Sequence, residues 1–430
     1  MKIIDSQQDE IITELKRIIS RGETATEEVA TAVREVVEQV RKQGDPAVLE
    51  YTEKFDRTIL TLKDVRVTQD EIKEAYSKVD ARKVEALKLA AQNIHAFHEK
   101  QMSSSWVSQE AEGVILGQLV RPIRSAGVYV PGGKACYPSS VLMNVIPATV
   151  AGVEQLIMCS PIPSGNLNPY ILVAADIAGV SEIYKIGGAQ AIAAMAYGTA
   201  TIPKVDKIVG PGNIYVATAK RYVFGQVDID MIAGPSEILI IADNTANPLF
   251  VTSDLLSQAE HDELASSILV TTSRELAEKV NADVERQLAN LSRQKIARKA
   301  IDRFGAIVLV KTLEEAADIS NSIAPEHLEL AVEKPFDLLA KIKNAGAIFL
   351  GHYTPESVGD YVAGPNHVLP TGGTARFFSP LSTDSFMKKS SIIYYTQEGL
   401  DKVAEAVMQI ADVEGLEAHG NTIRVRMAKK

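Results

Sequence analysis

Cysteine is almost missing from this chain, with two in 430 residues, Cys136 and Cys159. Two thiols cannot form a disulfide framework or a cysteine-rich zinc knuckle, and their scarcity fits a reducing compartment. Positive charge is also short: 45 Lys and Arg against 55 Asp and Glu give a formal net charge of −10. That balance excludes a nucleic-acid binder that works by neutralising phosphates, and it suits a cationic small molecule only weakly. No window approaches the roughly 18 uncharged apolar residues of a membrane span. The opening Met1-Lys2-Ile3-Ile4-Asp5 has no basic-then-apolar signal pattern, so a soluble, cytoplasmic protein is expected. The G-x-G-x-x-G dinucleotide fingerprint is missing too, since Gly210-Pro211-Gly212 lacks a third glycine at the right spacing.

What is present is ordinary globular composition, 46% hydrophobic and 23% charged. The length exceeds what one hydrophobic core usually holds, so more than one domain is expected. Residues 1 to about 103 read mostly as helix. Val29, Ala32, Val33, Val36, Val37 and Val40 recur with a period near 3.6, and Gln43-Gly44-Asp45-Pro46 stops that run. A second long helix is expected from about Val84 to Glu99, with His95 and His98 on one face that reads as solvated surface.

From residue 126 short apolar runs end in glycine and alternate with helical segments. They include Gly127–Gly133, Gln155–Cys159, Ile183–Gly188, Lys207–Gly212 and Asp230–Pro235, followed by Ile238–Ala242, Ser267–Val270, Ala306–Val310 and Ala347–Leu350. Such alternation predicts βα units around parallel sheets buried on both faces. The fold class expected is α/β: two parallel-sheet Rossmann-like domains, incomplete without the glycine fingerprint, with helical N- and C-terminal extensions. The boundaries expected are an arm at 1–22, a first α/β domain at 23–128 plus 235–378, an inserted cofactor-edge domain at 129–234, and a helical segment at 379–430. Three glycine loops of the inserted domain, at Tyr129–Gly133, Gly187–Gln190 and Val209–Asn213, fall where strand carboxyl ends should converge, the usual ligand edge of such a sheet.

The densest chemistry lies in Ser322-Ile323-Ala324-Pro325-Glu326-His327-Leu328-Glu329-Leu330. Glu326 and His327 offer two proton-transfer groups within reach of one substrate atom, although proline followed by an acid also reads as a helix start. Three other segments carry histidine beside further donors. Gln258 and His261 are three apart at the end of a helical run from about Pro248, a spacing that lets both reach one metal ion. Asp360 and His367 lie in a Gly/Pro-punctuated loop, and Glu414 and His419 stand near the C-terminus.

These blocks together resemble the histidinol dehydrogenase family. The resemblance runs from about residue 25 to the C-terminus and rests on Val130–Ala135, Lys185–Ala191, Val209–Asn213, Ile232–Glu237, Gln258–His261, Pro325–Glu329, Gly364–Thr371 and Glu417–His419. It implies oxidation of L-histidinol to L-histidine with two NAD+ and one zinc ion per subunit. It makes Gln258, His261, Asp360 and His419 the zinc ligands, and Glu326 with His327 the catalytic acid–base pair. Ser236, His327, His367 and Glu414, alongside the metal ligands, match substrate-contact positions, and Tyr129, Gln190 and Asn213 match positions that contact NAD. It also implies a homodimer whose C-terminal segment completes the partner's site.

On that expectation His327 takes the alcohol proton and Glu326 activates the water that adds to the aldehyde. A cysteine route through Cys136 is the rival within the enzyme class, set back by its apolar context and the lack of a nearby histidine. The same ligands would also serve a zinc-dependent hydrolase, and two α/β lobes would serve a binding protein.

Overall fold

The computed structural model describes residues 1–6, 10–19, 21, 27–132, 136–163, 165 and 167–428. Gly133, Lys134 and Ala135, which close the first glycine loop, lie outside the described residues, as does most of 20–26. In chain order the strands are β1 Lys2–Asp5, β2 Trp106–Ala111, β3 Val114–Pro122, β4 Ser125–Tyr129, β5 Gln155–Cys159, β6 Glu182–Tyr184 and β7 Lys207–Val209. They continue as β8 Asp228–Ile229, β9 Glu237–Ala242, β10 Ser266–Thr271, β11 Gly305–Leu309, β12 His327–Ala331, β13 Ala347–Leu350 and β14 Met387–Tyr395.

The chain forms two compact units, one of Met1–Gln101 with Arg124–Phe386 and one of Met102–Ile123 with Met387–Lys430. The first contains two parallel sheets. One runs β6-β5-β4-β7-β8 and the other β1-β11-β10-β9-β12-β13. Setting β1 aside, both share one order: the first strand is central, the next two lie on one side, and the last two on the other. This is the doubly wound arrangement, whose connections reverse direction between β4 and β7 and again between β9 and β12. Strands such as Glu-Ile-Leu-Ile-Ile-Ala of β9 and Gly-Ala-Ile-Val-Leu of β11 are buried at every position. They are covered on both faces, which is why they read as unbroken apolar runs rather than as alternation.

The helices that cover the sheets start by a recurrent local device. Asn168 and Asn247 each cap a helix through their side-chain oxygen and are each followed by proline, so an orphan N–H is satisfied where proline has none to offer. The helix Gly188–Tyr197, Gly-Ala-Gln-Ala-Ile-Ala-Ala-Met-Ala-Tyr, is buried from Ala189 to Ala196. Its small side chains let it sit close against β4 and β7.

Four expectations change. Lys2–Asp5 is a strand, paired in parallel with β11, so the first residues are not helix alone. His98 is fully buried, its Nδ1–H donating to the Ile94 carbonyl at 2.7 Å, while His95 stays exposed. The loop carrying Asn366 covers that end of the helix, with Asn366 Nδ2 3.4 Å from His98 Nε2, and a helix face alone cannot announce such cover. Asp230–Pro235 is loop after the short strand β8, because Asp230 turns back to accept the Gly210 N–H. The last fifty residues are not purely helical either.

The second unit is an antiparallel sheet ordered β14-β3-β2, with the helices Gln397–Val413 and Glu417–Met427 following β14. Strand β2 is exposed at every residue, so its sequence carries no alternation to read.

Candidate active site

His327 opens β12, in register with Ile238 of β9 and Ala347 of β13. The Pro325-Glu326-His327 run therefore enters a strand, not a helix. Ala324, in the left-handed region at φ 53°, ends the preceding helix and turns the chain into the sheet. Glu237 stands at the matching end of β9, so the pair lies at the amino edge of the second sheet.

Both side chains are buried. The His327 Nδ1–H donates to the Glu237 carbonyl at 3.0 Å, which fixes the tautomer and leaves the Nε2 lone pair free. Nε2 makes no hydrogen bond and stands 3.4 Å from Asp360 Oδ1. Glu326 Oε2 accepts the Glu237 N–H at 2.8 Å and lies 3.7 Å from His327 Nδ1.

Burial pushes Glu326 up to about 8, against the pull of His327 and with the push of Glu237. Burial opposes charge on His327, but Glu326, Asp360 and Glu356 around it win, and its net shift is upward. Glu326 and His327 are thus two buried titratable groups whose shifts are each set partly by the charge of the other.

Gln258 and His261 arrive at the same edge because the helix Pro248–Ala259 returns from the carboxyl end of β9 to the amino end of β10. The Gln258 amide is fully buried, and neither its oxygen nor its nitrogen has a partner. An unsatisfied buried amide is costly and calls for a ligand. Burial lowers the His261 pKa, against the nearby Asp360, and so favours the neutral imidazole.

Asp360 comes from the short helix Glu356–Tyr361 after β13. Burial works against its charge, but His327, His367 and His261 hold the carboxyl below its usual range. Among the described residues no group of three or more His, Cys, Asp or Glu side chains could hold a metal ion. The set gathered here is two such side chains and an amide.

His367 Nδ1–H donates to the Asp360 carbonyl at 3.0 Å, and its Nε2 faces Ser140 Oγ at 3.4 Å. Ser140 belongs to the helix Pro138–Ala151 that follows β4, so the carboxyl edge of the first sheet meets the amino edge of the second here. A cavity of about 580 Å³ opens beside Asp360 and His367, walled by Phe97, Phe349 and Asn366 and large enough for a small polar molecule. Ser236 precedes β9, its carbonyl accepting from the Ser266 N–H.

Glu414 and His419 belong to the second unit and are exposed there. The first unit does not contain them.

Tyr129, Gln190 and Asn213 all come from the carboxyl edge of the first sheet. The Tyr129 hydroxyl accepts the Gly188 N–H at 3.1 Å. Gln190 is fully buried with both amide atoms unpartnered. Asn213 caps the helix Ile214–Val223, accepting from the Tyr215 and Val216 N–H groups. Between them Gly210, at φ 113°, passes so close to Tyr129 that an added Cβ would lie 2.1 Å from its carbonyl oxygen. Cys136 is exposed, and partial burial of its thiol pushes it up to about 11, away from the thiolate.

Several residues of this site escape motif reading. Arg21 pairs with one of the site's carboxylates, its Nη2 reaching Glu237 Oε1 at 3.2 Å and the Pro235 and Ser236 carbonyls. Glu329 and Glu356 are buried beside His327, and the only sequence signal for Glu329 is its spacing of two from His327.

Two doubly wound sheets thus bring a buried acid–base pair and orphaned amides to their meeting edges, a site of the α/β enzyme kind. The family model for histidinol dehydrogenase matches residues 19–427. The chain is 56% identical to the histidinol dehydrogenase of Geobacter metallireducens over 99% of this chain and 98% of that one. It is 54% identical to that of Bacillus thuringiensis over the full length of both. A crystal structure of histidinol dehydrogenase from Elizabethkingia anophelis superposes with a TM-score of 0.94 at 42% identity, covering 99% of this chain and 98% of that one. The chain belongs to the histidinol dehydrogenase family.

Proposed function

We propose that this protein oxidises L-histidinol to L-histidine through L-histidinaldehyde, a four-electron reaction using two NAD+ and one zinc ion per subunit, as the last step of histidine biosynthesis in the cytoplasm. The observation that carries this reading is the buried His327 ring, fixed at Nδ1 by a backbone carbonyl with its Nε2 3.4 Å from Asp360, which lines the cavity.

The donor set fits zinc: a buried amide without partners, an imidazole that burial favours as neutral, and a carboxylate kept ionised. Gln258, His261 and Asp360 would hold the ion, and His419 from the second subunit of a homodimer would complete the set. Bound, zinc would supply Lewis acidity that helps fix the substrate, and NAD+ would supply the hydride-accepting capacity. Tyr129, Gln190 and Asn213 would hold the cofactor at the carboxyl edge of the first sheet, within the inserted domain at 129–234.

The chain's own groups then handle protons. His327 Nε2 takes the hydroxyl proton of the alcohol, which frees the electron pair that becomes the carbonyl. Glu326 takes the proton of the water that adds to the aldehyde. Ser236 and His367 orient the substrate within the site, and Asp360 with the second subunit's Glu414 balances its cationic amine. Arg21 pairs with Glu237 and offsets part of the burial that pushes this carboxyl up.

The test is NADH absorbance with L-histidinol, before and after chelation and zinc restoration. Two NADH per histidinol, lost on chelation and regained with zinc, is the expected result. No NADH from the zinc-loaded protein would reject the reading.

A further inference from the structure

Strand β8 is only two residues long, and it pairs with Lys207 and Ile208 of β7, so the ladder on that side stops before Gly210. Two side chains stand in for the missing strand. Asp230 Oδ2 accepts the Gly210 N–H at 2.8 Å, and Lys220 Nζ donates to the Gly210 carbonyl at 3.0 Å. The two also pair with each other. Lys220 Nζ donates to Asp230 Oδ1, which accepts the Met231 N–H at 2.7 Å as well. Water barely reaches them, with 4% of the Lys220 side chain and 1% of the Asp230 side chain exposed.

A buried ion pair is a poor means of adding stability, because desolvation of both charges offsets their attraction. This pair instead bonds both backbone polar groups of one glycine. That glycine lies at the cofactor edge: it follows β7, passes Tyr129 with no room for a Cβ, and precedes the Asn213 cap. Lys220 stands on the helix that Asn213 caps, so strand end, glycine loop and helix start are held in one frame. Asp230 also begins the crossing to the second sheet. The far end of that crossing is held separately, by the Gly234 N–H on Thr371 Oγ1 and by Arg21 on the Pro235 and Ser236 carbonyls.

We infer that Lys220 and Asp230 are positioning residues for the cofactor, holding residues 209–213 in their NAD+-binding shape before NAD+ arrives. The inference rests on the cofactor reading given above for Tyr129 and Asn213. Both side chains act through the backbone of Gly210. A loop ordered in advance spares the cofactor the entropy of ordering it, and the gain is read as affinity. Pairing matters for charge too, since a lone carboxylate beside this loop would repel a dinucleotide's pyrophosphate.

Calorimetric titration of the zinc-loaded protein with NAD+, without histidinol, tests this independently of turnover. Lys220→Met combined with Asp230→Asn removes both charges together and leaves no unpaired ion buried, which protects the fold. Its Kd for NAD+ should rise about ten- to hundredfold, as expected for a misplaced binding group, with a melting temperature near that of the wild type. In turnover KM for NAD+ should rise with it, while KM for histidinol and kcat at saturating NAD+ stay close to wild type. Lys220→Met alone should weaken NAD+ further, because Asp230 then keeps its charge without a partner. An unchanged Kd in a folded variant would overturn the inference. Equal losses of NAD+ and histidinol binding, or failure of both variants to fold, would mark a purely structural pair and overturn it as well. A wild-type protein that binds no NAD+ would reject the cofactor reading itself, and the inference with it.

Discussion

With its Nδ1–H committed to the Glu237 carbonyl, His327 has one lone pair to offer, and that lone pair faces Asp360. His327→Asn removes the acceptor at that point, and both oxidations should fall by about 10² to 10⁴, the usual worth of a positioned base. Glu326→Gln should spare the alcohol step and depress the aldehyde step, because the amide still accepts the Glu237 N–H but cannot take a proton from water. Stopped-flow NADH formation from histidinol and from histidinaldehyde separates the two. An undiminished aldehyde step in Glu326→Gln would sink the water-activation role. Much of this site was legible because Glu-His, Gln-x-x-His and Asn-His are dense local patterns. Arg21 and Glu356 were not, since each joins the site only through the return of a distant segment, and Glu329 was masked by a helical reading of a run that is strand. In that strand the spacing of two, not three or four, groups the side chains.

At the scale of elements, the cofactor edge depends on how closely β4 and the loop after β7 approach. Gly210 sits there at φ 113° with no room for a side chain, its N–H held by Asp230 and its carbonyl by Lys220. Gly210→Ala should cost about 1–3 kcal/mol from backbone strain alone, measurable as a lower denaturant midpoint. It should also raise KM for NAD+ more than it lowers kcat. The parallel strands and their glycine-ended loops could be read from sequence because burial on both faces leaves apolar runs of strand length. The β14-β3-β2 sheet could not. Its strand Trp-Val-Ser-Gln-Glu-Ala is exposed throughout, and Met387–Tyr395 mixes lysine, serine and tyrosine with no buried face to set a period.

At the scale of the molecule, Glu414 and His419 lie in one compact unit and the remaining site residues in the other. If those two residues serve the second subunit's site, mixing inactive His327→Asn protein with inactive His419→Asn protein should restore about a quarter of wild-type activity. In a randomly paired dimer half the molecules are mixed, and each mixed molecule has one intact site of two. No recovery after subunit exchange would show that His419 acts within its own chain. A different consequence attaches to β1. Lys2–Asp5 occupies the rim of the second sheet and supplies hydrogen-bonding partners to β11, which is buried along its whole length. Trimming those few residues, or forcing them out with a bulky fusion, would uncover a row of unpaired amides on an apolar strand. That is a template for sticking to another chain, so handles for purification are better tolerated where they leave β1 docked.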